Sequence, residues 1–186
     1  MKTLWELMSW VSEKQRFETI GDYVEFAKYY LEFIETELQA ELVAKNENNY
    51  RFFQYRRDGE YNITRPVNSE LFFKLAEYEN IAPDFEKILT NIRDIKDDKE
   101  VRRKINNFIY TTQQTIGCAL DALPSSKTNT SRKVNGDLFE RLMQMIIRQL
   151  GFTIDSETLS VPVPKSMEKM NYQNDIEIKV AGEIVA

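Results

Sequence analysis

Hydrophobic positions recur three and four residues apart along most of the first two-thirds of the chain. Leu4, Leu7, Met8 and Val11 form one stripe, and Val24, Ala27, Leu31, Ile34, Leu38 and Leu42 form a longer one. Both spacings predict amphipathic helices, since such residues share one face at 3.6 residues per turn. Thr19, with Asp22 three residues on, suits the N-cap of the second helix, and the polar run "AKNENNY" ends it. Helical periodicity returns over 69–80, 84–95 and 98–122. The last stretch follows the acidic "DDKE" and carries Val101, Ile105, Phe108, Ile109, Ile116 and Leu120. Between these helices, "YRFFQYRRDGEYNITRP" is aromatic and β-prone, with Asp58-Gly59 placed to turn a small hairpin or a loop.

Beyond residue 122 the pattern changes. "LPSSKTNTSRKVNGD", residues 123–137, has the composition of a linker or loop. A helix is predicted over 137–150, capped by Asn135 or Asp137. Leu138, Leu142, Ile146 and Leu150 form its stripe, Phe139, Met143 and Ile147 lie beside it, and Gly151 closes it. Strand-like segments follow around 152–163 and 173–180, and a last one begins at Glu183. Pro162 and Pro164 mark the first as an edge. In the second, Ile176, Ile178 and Val180 alternate with Asp175, Glu177 and Lys179, and Ala181-Gly182 turns the chain back. The expected fold is therefore α+β and mostly α. A helical region spans 1–123, a loop 124–134, and residues 135–186 begin an α+β part with a helix and a β-hairpin.

Composition narrows the chemistry. The 186 residues are 42% hydrophobic and 30% charged, a globular balance, with a net charge of −5. No histidine is present, which removes serine–histidine and cysteine–histidine catalysis and histidine-ligated zinc. The single cysteine, Cys118, excludes an internal disulfide, lies on an apolar helix face and reads as a core residue. No window approaches membrane-spanning length and no signal-peptide pattern opens the chain, so a cytoplasmic location is expected. Catalysis here has to rest on carboxylates, lysine, hydroxyls or a hard metal ion held by oxygen.

Glu140 on the predicted helix and Asp175 where the hairpin strand begins are the candidates for such a site. The order of elements is a helix with "GDLFE" near its start and "LGF" at its end, a strand, and then "ND" opening a hairpin. Over residues 133–186 this order resembles the beginning of the catalytic core of PD-(D/E)XK nucleases, type II restriction endonucleases in particular. The resemblance implies a Mg²⁺-dependent hydrolysis of double-stranded DNA, with Glu140 and Asp175 as catalytic metal ligands. It implies a restriction-modification role and a homodimer as well. On that mapping the acidic-x-Lys strand would follow Glu183, beyond Ala186, and these residues alone are expected to be inactive. A second mapping keeps the set within the chain: Asp155, then Glu177 and Lys179 as the acidic-x-Lys string.

Lys127, Arg132 and Lys133, among hydroxyl and amide residues just before the helix, have the vocabulary of phosphate-backbone contacts and of an ordinary linker. Tyr50, Phe52, Phe53 and Tyr55 with Arg56 and Arg57 read as core aromatics beside a solvated pair, or as base-stacking groups. Trp5 and Trp10 pack the first helix or serve a dimer contact. The rival to a nuclease is a non-catalytic helical interaction module, such as a regulatory or antitoxin-like defence protein.

Overall fold

The computed structural model describes residues 2–36, 43–45, 49–57, 60–91, 98–123, 128–155, 158–162, 169–173, 177–180 and 183–184. Its fold is mostly helical in the first two-thirds and ends in short antiparallel strands.

Helices α1 (Leu4–Ser12) and α2 (Ile20–Thr36) each begin at a reciprocal cap. Thr3 Oγ1 accepts from Glu6 N at 3.3 Å while Glu6 Oε2 accepts from Thr3 N at 2.8 Å. Those bonds from Thr3 hold the Glu6 carboxyl below its ordinary value of 4.5. At α2, Thr19 Oγ1 accepts from Asp22 N at 3.2 Å and Asp22 Oδ2 accepts from Thr19 N at 2.6 Å, the cap predicted from the spacing. Leu38 and Leu42 of the predicted stripe lie outside the described residues. Trp10 is buried, with Lys2 Nζ 5.4 Å and Arg16 Cζ 4.7 Å from its ring centre, whereas Trp5 is 73% exposed.

Strands β1 (Val43–Lys45), β2 (Tyr50–Phe52) and β5 (Val67–Asn68) form a small antiparallel sheet in the order β1-β2-β5. The expected hairpin is β3 (Gln54–Arg57) paired with β4 (Glu60–Ile63), with Arg57 opposite Glu60. Phe53, between β2 and β3, is in the core. Of the stretch predicted helical over 69–80, only Leu75–Ile81 is helix (α3). Asn107, Tyr110 and Thr111 instead satisfy the backbone of 68–73, through bonds of 3.1 Å to Glu70 O, 2.8 Å from Asn68 N and 2.9 Å from Phe73 N. Pro83 sits in a 3-10 turn, after which α4 (Phe85–Thr90) follows.

Helix α5 (Lys99–Asp121) is the axis of the core. Asp98 caps it by accepting from Glu100 N and Val101 N. The helix packs against α1, α2, α3 and α6 (Thr128–Gln149). Phe108 stacks on Tyr78 at 4.3 Å and on Phe85 at 4.2 Å between ring centres. The Tyr78 hydroxyl and Thr112 Oγ1 are 2.6 Å apart. The carboxylate of Asp121 takes Arg65 in a two-pronged grip, Nε at 2.9 Å and Nη2 at 3.0 Å, and also accepts from Arg65 N at 2.9 Å.

Helix α6 corrects two expectations. It starts at Thr128, so residues 128–134 are its first turns and not a loop, and neither Asn135 nor Asp137 caps it. Ser131 and Val134 are buried and continue the stripe of Leu138, Leu142 and Ile146, so packing overrides a sequence with little intrinsic helix preference. That stripe belongs to the same core as Leu7, Phe26 and Phe108, so α6 is built into the helical body.

A further correction concerns 173–180, which is two strands and not one. Residues up to Gln173 belong to β8 (Lys169–Gln173), which pairs with β7 (Thr158–Pro162) in a separate ribbon. Strand β9 (Glu177–Val180) lies in another sheet, between β6 (Thr153–Asp155) and β10 (Glu183–Ile184). The expected return arm is present as β10, with Glu183 opposite Val180.

Candidate active site

Side-chain contacts fix α6 against α2 and the turn that joins α1 to it. Lys14 pairs with Asp137. Arg141 Nη1 donates to Lys14 O at 2.9 Å and to Phe17 O at 3.3 Å. Buried Tyr23 donates its hydroxyl to Leu138 O at 2.8 Å, and burial raises its pKa. Glu140 therefore sits on a helix held rigidly along its middle, about three turns from the start. It is half-buried, and Gln144, one turn on, donates Nε2 to Glu140 Oε1 at 2.8 Å. The i, i+4 spacing of Glu140 and Gln144 is the sequence signal for that bond.

The chain leaves α6 through Gly151, whose φ of 84° is the left-handed conformation expected there. Phe152 N donates to Ile147 O at 3.3 Å and Gly151 N to Arg148 O at 2.9 Å, which closes the helix and sends the chain into β6. In the sheet β10-β9-β6, Asp155 stands opposite Glu177, Ile154 opposite Ile178, and Thr153 opposite Lys179. Lys179 is also opposite Ile184 on the other side.

Of the predicted residues, the structure brings together Asp155 and Glu177, with Lys179 two positions along the same strand. Asp175 and Lys127 lie outside the described residues. Arg132 and Lys133 are exposed on the first turns of α6. Lys133 precedes Glu140 by seven residues, so both lie on one stripe of the helix. Among the described residues, no group of three or more acidic, cysteine or histidine side chains is placed to hold a metal ion.

Cys118 is not a member of any site. It is fully buried beside Arg65 and Asp121, and burial pushes its thiol up to about 12. The folded protein is therefore expected to react with a thiol reagent at pH 8 about 100-fold more slowly than the unfolded chain. Equal rates in and out of denaturant would contradict this placement.

No protein-family model and no curated protein matches the chain. Its structure is similar to the crystal structure of the Type IIP restriction endonuclease Kpn2I, with a TM-score of 0.52 and 18% sequence identity, over 96% of this chain. The likeness shows a restriction-endonuclease-like fold. The chain spans 60% of the length of that protein. Among the described residues, no helix is long and apolar enough to cross a membrane.

Proposed function

We propose that the chain contributes to a Mg²⁺-dependent endonuclease that hydrolyses phosphodiester bonds of double-stranded DNA. The observation that carries this reading is the register at the end of α6. The strand leaving that helix places Asp155 directly opposite Glu177 across an antiparallel pair. Opposed residues in such a pair belong to one face of the sheet, and two like charges there are unfavourable. A cation between them removes the penalty, and carboxylates are the ligands that Mg²⁺ prefers.

Asp175 precedes Glu177 by two residues. Two ligand sets are proposed: Glu140 and Asp175 by resemblance, and Asp155, Glu177 and Lys179 by register. Bound by either set, Mg²⁺ would stabilise charge at the phosphorus and lower the pKa of an attacking water. Lys179 is the candidate to orient that water and take its proton. Lys127, Arg132 and Lys133 are assigned to the DNA backbone, and the helical region of residues 1–123 to DNA contact or dimerisation, in a homodimer.

Cleavage of supercoiled plasmid by the whole polypeptide that contains this chain tests the proposal. Linear or nicked product is expected with Mg²⁺ and none with EDTA. DNA left intact under both conditions overturns the endonuclease reading in favour of a helical interaction module.

A further inference from the structure

The ribbon β7-β8 is inserted between the first and second strands of the sheet that carries Asp155 and Glu177, and it pairs with neither. Its register sorts its residues by chemistry. Thr158 is opposite Gln173, Ser160 opposite Asn171, and Pro162 opposite Lys169. The alternate positions pair Leu159 with Tyr172 and Val161 with Met170. Because strand residues alternate between faces, one face of the ribbon holds Thr158, Ser160, Pro162, Lys169, Asn171 and Gln173, and the other holds Leu159, Val161, Met170 and Tyr172, mostly apolar. The first face carries a single charge, Lys169, with four neutral hydrogen-bonding residues and a proline.

We propose that this polar face reads base edges in the major groove of duplex DNA. The inference rests on the endonuclease reading and names the element that would select its sequence. A two-stranded antiparallel ribbon is one of the two elements that the major groove admits. Asparagine and glutamine pair with adenine through two bonds, lysine with guanine, and serine and threonine with either. The neutral composition sets the ribbon apart from Arg132 and Lys133, whose charge suits the phosphates and carries no sequence information. Asp155, just before β7, and Asp175, just after β8, border the ribbon in sequence, so a base-reading ribbon would put the recognised sequence beside the bond to be cut. The apolar face of Leu159, Val161, Met170 and Tyr172 is left to anchor the ribbon.

The test is selection of bound duplexes from a randomised double-stranded library by the whole polypeptide, in EDTA, followed by sequencing. The wild type is expected to enrich a short motif. Asn171→Ala and Gln173→Ala are each expected to lose about tenfold or more of the preference at one or two positions of that motif. Their affinity for unselected duplex and its salt dependence are expected to stay at wild-type values, because no phosphate contact is removed. Asn171→Asp, which keeps size and loses the donor, is a second variant should the alanine fold poorly, with circular dichroism as the check. An unchanged motif in folded variants overturns the ribbon's role and leaves the endonuclease reading standing. A wild type that binds no duplex overturns both.

Discussion

Asp175→Ala and Glu177→Gln are expected to separate the two ligand sets, with plasmid cleavage falling about 100-fold or more in whichever variant loses a metal ligand. DNA binding in EDTA is expected to persist in both, since neither residue is assigned to the phosphates. Melting temperatures add a reading independent of activity. If Asp155 and Glu177 hold Mg²⁺, the wild type gains about 2.7 kcal/mol at a concentration 100 times the dissociation constant. For a chain of this size that is roughly 5–10 °C. Glu177→Gln would then lose most of that gain, yet melt slightly higher without metal, because neutralising one of two opposed carboxylates removes a penalty of roughly 0.2–1 kcal/mol. Opposite signs with and without Mg²⁺ are the signature of a metal pair. A variant that loses stability under both conditions would assign Glu177 a structural role. Full cleavage in both variants would remove the metal site from this end of the sheet.

Gly117→Ala is the second large effect, and it concerns the body of the protein. A Cβ at Gly117 would lie 2.2 Å from Arg65 Nη1 and 2.3 Å from Cζ. The guanidinium rests on α5 at that point and grips Asp121 one turn further on. Burial disfavours the Arg65 charge, but the hydrogen bond and charge of Asp121 outweigh it and raise the arginine's pKa. A methyl group displaces the guanidinium and leaves two half-buried charges without their partners. Breaking a buried pair costs about 3–5 kcal/mol. Partial exposure reduces that figure, and replacing glycine in a helix returns about 1 kcal/mol. A net loss of about 2 kcal/mol is expected, or roughly 4–8 °C in melting temperature. Adding Arg65→Ala should cost much less in Gly117→Ala than in the wild type, because the contact is already lost. Wild-type stability in Gly117→Ala would show that Arg65 does not hold α5 in this way.

The grip is not legible in the sequence, and although Asp155 and Glu177 are candidates there, their opposition across a strand pair is not. Arg65 and Asp121 are separated by 56 residues and carry no pattern that links them. By contrast α1, α2 and α5 follow directly from three- and four-residue spacing, and the Thr19–Asp22 cap from local chemistry, because both depend only on neighbours along the chain. The start of α6 is hidden because Ser131 and Val134 are helical through burial, and "SSKTNTSRKV" shows no such preference by itself. The strand predicted over 173–180 reads as continuous because alternation persists through it. Only pairing assigns its halves to different sheets, and pairing is a long-range property. Periodicity puts Glu140 on a helix, correctly, but in its first turn, because the turns before it carry no apolar spacing. The opposition of Asp155 and Glu177 needs the β7-β8 insertion to be recognised first, since 21 positions of sequence lie between them.

The burial of the α6 stripe bears on how the polypeptide could be divided. Residues 124–134 read as a natural place to cut, yet Leu138, Leu142 and Ile146 lie in the same core as residues of α1, α2 and α5. A protease acting between α5 and α6 would sever the chain without creating two independent folding units. Separately expressed halves would each present to water the apolar surface that the other now covers, at roughly 25 cal/mol for every Å². Cleaved in place, the two pieces are held by that shared core. The short strands that follow α6 thus inherit their foundation from residues more than a hundred positions earlier.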